Sequence, residues 1–481
     1  MGKRFFNRAA IGILILVLFD HGLCLSEKGR IALQKALGGV DLEKRLERLQ
    51  KLGRHRGRTG SNNTRPIPTL PNLTGEDGAL AAEDTPSGDG SSILEVNRVE
   101  GVDEYLFDGD IILTDEELSA LENQAESSAR KKRQISTTST NWADNTVFYY
   151  FDATIPAGNQ AYIKTVLKYL SGRTCLNFVE DATAPNRIQV FDGAGCYSAV
   201  GMRGGEQPLS LSQGCIVIGT VAHEFMHALG ALHMHMRDDR DNHIKVDLTN
   251  VPEARQHNFI KEASTINLTP YEYGSNMQYS RGAFANSGSS LIPLIPRFLR
   301  TLGAQTISFY DVHMINTQYK CYAACAGNMP KCVNGGVPNP KNCANCICPA
   351  GYGGALCNLR PAACGVTLTA TTAWQTKKVA VGEAAIITTS DSYKTCVDWI
   401  KAPAGKKVQI RVTAMQGVNC NDGCWTHAIE AKIMADKKMT NSRICCSGQL
   451  NQIWPSALNP TPIVSYSIRR VATFTYQYRY V

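Results

Sequence analysis

Residues 221–241 read VAHEFMHALGALHMHMRDDRD and place four histidines within thirteen residues. On a helix, side chains four apart share a face, so His223 and His227 point the same way. Glu224 sits one position round, near enough to reach a water on a shared ion without becoming a ligand. Gly230 can take a positive φ, end the helix and turn the chain back, which brings His233 in as a third ligand. His235, two residues further on, is expected to face away. Three neutral imidazoles with one open position are the donor set of a catalytic zinc rather than a structural one. The chemistry this offers is hydrolysis, with Glu224 as general base toward a water acidified by the ion. The competing reading, a set of buried core histidines, leaves the H-E-x-x-H-x-x-G-x-x-H spacing unexplained.

The elements that must position these residues are legible around them. CIVIGTVAHEFMHALG reads as a buried helix ending at Gly230. AYIKTVLKYLSG reads as a second helix, with Ile163, Val166, Leu167 and Leu170 on one face. TVFYYFD and RIQVFDG read as strands, and GGEQPLSLS as an extended segment bounded by glycines. Further upstream, residues 27–58 read as helical and charged. A stretch rich in Pro, Gly, Ser and Asp follows and reads as a flexible linker. It carries the sequons at Asn62 and Asn72, and a third lies at Asn267.

The chain opens with MGKRFFNR, an apolar run AAIGILILVLF, and then DHGLCLS. A basic start and a short apolar run predict a secretory signal over 1–24. That run falls short of the ~20 apolar residues a membrane-spanning helix needs. Sixteen of the seventeen cysteines lie from Cys175 onward, an even set that in an exported chain implies disulfides. The formal net charge of +8 is uneven: residues 25–133 carry 16 Lys+Arg against 20 Asp+Glu, and residues from Gln134 carry 31 against 21. No groove of interleaved basic and aromatic residues accompanies it, so nucleic acid is not an expected partner, and acidic matrix or acidic substrate segments are. Arg130-Lys131-Lys132-Arg133 divides a cysteine-free, low-complexity region from a cysteine-bearing, aromatic-rich one. Cleavage between Arg133 and Gln134 by a proprotein convertase is the expectation, making 25–133 a propeptide.

From 134 to 321 the chain resembles the astacin family of zinc endopeptidases, within the metzincins. Beyond His233, the family signature is matched by Arg237, Asp239, Arg240 and Asp241, and the Met-turn by YEYGSNMQYSRGAF. The resemblance implies zinc held by His223, His227 and His233, and Glu224 and Tyr279 as catalytic residues. Met277 is implied as the floor of the site and Tyr279 as the tyrosine that stabilises the oxyanion. It also favours the segment around Gln207 to Leu211 as an edge strand pairing with substrate backbone. LFDGDI matches the family's F-x-G-D motif, which implies that Asp110, after Phe107 and Gly109, blocks the zinc in the zymogen. Three positions depart from the pattern: Ala231 for Phe, Gln278 for His, and Met234 for the Glu that receives the mature N-terminus. Met234 cannot accept an ammonium, so that contact is expected to be lost; Asp238 and Asp239 are the groups to test as replacements.

The resemblance also implies disulfides Cys175–Cys321 and Cys196–Cys215 in the catalytic part. Cys325, Cys332, Cys343, Cys346, Cys348 and Cys357 follow an EGF-like spacing over 322–358, which implies the pairs 325–343, 332–346 and 348–357. YKCYAAC lacks the acidic residues of calcium-binding EGF modules. Residues 364–481 look like a CUB domain, with Cys364 paired to Cys396; Cys420, Cys424, Cys445 and Cys446 leave three connectivities open. The expected fold is α+β: a two-subdomain metzincin zinc-protease domain with a central cleft, a small disulfide-rich EGF-like module, and a β-sandwich CUB domain. That order resembles astacins of nematodes. The function implied is that of a secreted zinc endopeptidase made as a zymogen, cutting extracellular, matrix or cuticle proteins, with matrix partners through the CUB domain. The alternatives are a non-catalytic matrix-binding protein and a structural zinc protein, which needs a fourth protein ligand.

Overall fold

The computed structural model describes residues 25–57, 92–126, 140–262 and 266–481. The expected signal peptide, the sequons at Asn62 and Asn72, and the Arg133–Gln134 bond lie outside the described residues. The N-terminal part contributes α1 (Glu27–Ala36), α2 (Leu42–Gly57), α3 (Ile93–Glu100), β1 (Ile111–Ile112) and α4 (Asp115–Glu126). The helical stretch expected over 27–58 is two helices, α1 and α2. Gly38 and Gly39 take φ of 71° and 81°, and two adjacent glycines are the weakest place in such a helix.

Next come β2 (Thr146–Phe151), α5 (Ala157–Ser171), β3 (Asn177–Glu180), β4 (Arg187–Phe191), β5 (Cys196–Ala199), β6 (Glu206–Leu211), α6 (Ile218–Ala228) and α7 (Phe309–Gln318). The six strands form one sheet in the order β1-β5-β6-β4-β2-β3. β5 is antiparallel to β6, and the other pairings are parallel. Ile163, Val166, Leu167 and Leu170 of α5 are all buried, one apolar stripe at helical spacing. They join Val147, Ile188, Val190 and Leu209 of the sheet and Phe225 and Met226 of α6 in one core.

One expectation fails here. β6 is not an edge, because β5 and β4 flank it on either side. The outermost strand on that side is β1, which pairs Ile111 with Ser198 and Ile112 with Ala199 of β5; without β1 the edge there is β5. The reason is that the chain doubles back: β5 and β6 form an antiparallel pair whose second strand is buried in the sheet.

Disulfides Cys325–Cys343, Cys332–Cys346 and Cys348–Cys357 staple the short segment that follows α7. The C-terminal part is two packed sheets. One has five strands, in the order 367–369, 394–401, 461–467, 427–431 and 443–444; the other has four, 375–381, 472–480, 408–416 and 454–456. Ile400, Ile463 and Ile429 of the first meet Val408, Ile410, Phe474 and Tyr476 of the second in the layer between them. Cys364–Cys396 closes one end, while Cys420–Cys446 and Cys424–Cys445 select one of the three open connectivities. Among the described residues no helix is long and apolar enough to cross a membrane.

Candidate active site

α6 is buried along almost its whole length, and its close approach to the following segment depends on Gly219. A Cβ there would lie 2.3 Å from the Cα of Gln305. His223 and His227 stand one turn apart on this helix. Gly230, at φ 103°, turns the chain so that His233 returns to them. The Nε2 of His233 lies 3.0 Å from that of His223 and 3.2 Å from that of His227. All three rings are buried.

Their outer nitrogens determine which way the lone pairs point. Nδ1 of His223 donates to the Asn276 carbonyl and Nδ1 of His227 to that of Ala231, each at 2.8 Å. Nδ1 of His233 donates to Oδ2 of Asp108 at 2.6 Å. With Nδ1 so engaged, each ring turns its Nε2, the nitrogen a metal ion would take, toward the common point.

The fourth direction belongs to Asp110. Its carboxylate oxygens lie 3.2, 3.4 and 3.3 Å from the Nε2 atoms of His223, His227 and His233. Tyr279 donates its hydroxyl to Asp110 Oδ2 and also stands 2.9 Å from the Asp108 carbonyl. Glu224 is fully buried with both carboxylate oxygens unbonded, and so is Oδ1 of Asp110. Burial, with the field of Asp110 added, pushes the Glu224 carboxyl well above the usual range. Three imidazole nitrogens and a carboxylate within reach of one another, beside unbonded buried oxygens, form a donor set that fits a zinc ion.

The support around the site is built from short loops. Asp311 accepts from the Ser275 hydroxyl at 2.5 Å and the Asn276 amide at 2.9 Å, and the same carboxylate caps α7 through the Ser308 amide. Met277 is buried, and its carbonyl accepts from the Met234 amide at 2.8 Å. Arg237 is buried and clasps Asp239 through two bonds of 2.8 and 2.7 Å. Asp238 accepts from the exposed Asn267, whose own side-chain amide is engaged by that bond at 2.7 Å. Asp239 is thus paired with Arg237, Asp238 accepts through one oxygen only among the described residues, and Met234 packs into the apolar core. Cys196–Cys215 ties β5 to the turn before α6, and Cys175–Cys321 ties the end of α5 to that of α7.

His235, set aside as a ligand, is not among the donors around the common point, but it has a partner that the sequence did not show. Its Nε2 lies 3.0 Å from Asp108 Oδ1, so Asp108 bridges His233 and His235. Burial works against the Asp108 charge, but the fields of His235 and His233 outweigh it and hold that carboxyl down to about 2. Asp108 and Gly109 take φ of 53° and 85°, turning the backbone so that Phe107 and Ile111 exchange two backbone bonds of 2.9 Å. A Cβ on Gly109 would stand 2.6 Å from Leu94 and 2.9 Å from Phe284. Asn97 was also missed. It is buried, donates to the carbonyls of Gly109 at 2.9 Å and Cys196 at 2.7 Å, and accepts from the Cys196 amide at 2.7 Å. Nothing in the sequence marks it, since a lone Asn on a short helix reads as a surface residue.

Comparison with known proteins agrees with this geometry. Residues 134–320 match the family model of the astacin peptidases. The chain is similar to three zinc metalloproteinases of Caenorhabditis elegans. It is 40% identical to nas-32 over 461 residues, covering 92% of this chain and 68% of the relative. It is 37% identical to nas-31 over 407 residues, covering 82% and 66%. It is 38% identical to nas-17 over 381 residues, covering 78% and 86%. Similarity that extends well beyond the matched segment and takes in most of both chains establishes that this chain belongs to the astacin family and is a zinc metalloendopeptidase.

Proposed function

We propose that this is a secreted endopeptidase held latent by its own propeptide, residues 25–133, and activated by cleavage after Arg133. In this reading His223, His227 and His233 hold the zinc, 322–358 is an EGF-like module and 364–481 a CUB domain. The substrates are extracellular proteins. The observation that carries the proposal is the double obstruction by one short segment: Asp110 fills the open side of the three imidazoles, while β1 occupies the edge of β5.

Bound by these imidazoles, zinc supplies Lewis acidity toward a peptide carbonyl and toward water. Every other part of the reaction falls to the chain itself. Once β1 has left, β5 offers its free backbone groups to a substrate strand, which lies across the cleft in extended form. Glu224 has no bonded partner for either oxygen and takes a proton from the attacking water. It then delivers that proton to the departing amine. The Tyr279 hydroxyl, released from Asp110, donates to the substrate oxygen as negative charge builds on it. A non-catalytic scaffold has no use for a buried, unbonded Glu224 beside a donor set for zinc.

The test is the purified chain, cleaved after Arg133 and given a denatured protein substrate. Hydrolysis is expected only after cleavage, with about one zinc per chain, lost on chelation and restored by zinc. Full hydrolysis by uncleaved protein, or none by cleaved zinc-loaded protein, would defeat the proposal.

A further inference from the structure

Beside His223 and Tyr279 lies a cavity of about 500 Å³, and one of its walls comes from far along the chain. Tyr279, Ala285 and Ala304 line it from the catalytic part, Ile93 and Leu94 from α3, and Asn421, Asp422 and Trp425 from the C-terminal sandwich. We propose that the loop 420–425 is a specificity-determining wall of the substrate cleft, and that this wall takes a bulky aliphatic side chain of the protein substrate. The inference rests on the endopeptidase reading above and adds to it a substrate preference.

The loop is held as firmly as the catalytic walls. Cys420–Cys446 and Cys424–Cys445 clamp both its ends. Asp422 accepts from Arg281 Nε and from Arg300, each at 3.1 Å, so one carboxylate sits between two guanidiniums of the catalytic part. Gly423 takes φ 76°, and a Cβ there would stand 2.1 Å from the Gly303 carbonyl, so backbone meets backbone. Further bonds dock the sandwich nearby: the Thr440 amide to Glu272 at 3.0 Å, and Arg443 to the hydroxyl of Thr306 at 2.6 Å. Such a wall stays in place when the propeptide departs.

What the wall accepts is argued from what now faces it across the cavity. Ser92 caps α3, and the first turn sets Ile93 and Leu94 as the wall opposite; Ile93 is only 6% exposed and belongs to the catalytic core cluster. With α3 gone, Trp425, Ala285 and Ala304 are left as the apolar surface of a recess whose rim is polar, with Asn276, Gln305 and Asn421 among its residues. An aliphatic side chain of a bound substrate re-covers that surface, and a small or charged one does not.

The experiment uses full-length protein activated at Arg133 and a peptide library varied one position at a time. The parent is expected to favour Leu or Ile at one particular position. Trp425→Ala should lower kcat/KM for those peptides by about tenfold at that position and leave the other positions as they were. Asp422→Asn retains an acceptor but removes the carboxylate charge beside Arg281, so the same position should turn toward Asp and Glu. If Trp425→Ala does not fold, the Asp422→Asn profile decides alone. A profile identical to the parent, or a change spread evenly over all positions, overturns the wall while leaving the endopeptidase intact. A parent that cleaves no peptide overturns the endopeptidase reading and the wall with it.

Discussion

Asn97 offers the sharpest test of the proposed latency, because in that reading it touches the enzyme only while the propeptide is in place. Asn97→Ala leaves three buried backbone groups without their partner: the amide and carbonyl of Cys196 and the carbonyl of Gly109. A hydrogen bond of this kind contributes about 1 kcal/mol net, and more when a buried group is left unsatisfied. Three of them make about 3 kcal/mol, which corresponds to roughly 150-fold in an affinity. None of that loss falls on the mature enzyme, where β5 is open to water and substrate. The assay is inhibition of activated, zinc-loaded enzyme by added propeptide 25–133, read through peptide hydrolysis. The Ala variant should raise the inhibition constant about a hundredfold with kcat and KM unchanged. Asn97→Asp keeps the acceptor for the Cys196 amide but faces two carbonyls with a carboxylate, so it should inhibit no better than the Ala variant. An inhibition constant for Asn97→Ala within threefold of the parent would mean that these bonds do not hold the propeptide.

Other expectations follow from the same geometry. Glu224→Ala should keep its zinc, as no imidazole is touched, and lose ~10²–10⁴ in peptide hydrolysis; near-normal turnover would remove Glu224 from the mechanism. In protein that cannot be cut at Arg133, Asp110→Ala should be more active than the parent, and equal latency would mean that β1 blocks by bulk alone. Glu272 is buried between the Gly274 and Thr440 amides, with Asp311 and Lys432 as the charged groups bearing on it. Burial pushes its carboxyl up to about 7. An unfolded glutamate titrates near ~4.3, so the folded chain binds the extra proton between these values. Stability from this group is fully present below ~4.3 and is lost as pH rises through about 7. Glu272→Gln should flatten that decline by up to ~1.4 kcal/mol per pH unit in denaturation from pH 5 to 8, and parallel slopes would count against it.

The metal centre was legible because its chemistry is local. A four-residue repeat on one helix, a glycine to turn and a third histidine leave little for long-range topology to decide. The stripe of Ile163, Val166, Leu167 and Leu170 was legible for the same reason, since helical period alone assigns its face. The edge of the sheet was not. Both β5 and β6 are short, glycine-flanked and extended, and only the pairing of β6 with β4 tells which of them is interior. The pairing of His235 with Asp108 escaped notice because each is meaningful only through the other, 127 residues away in the chain. Gly423 reads as an ordinary turn glycine until Gly303 is found against it. What pattern could not supply, in each case, was which distant backbone comes close.

Asp311 has a further consequence. This one buried carboxylate starts α7 and orders the loop that carries Asn276, whose carbonyl in turn orients His223. Helix and metal site are therefore not separable units of stability. Fraying of the first turn of α7 withdraws the acceptor from Ser275 and Asn276, and a loosened Asn276 frees the ring of His223. The region opens as one cooperative segment, so a fluctuation that begins at a helix end more than thirty residues downstream arrives at the metal as a lost ligand orientation.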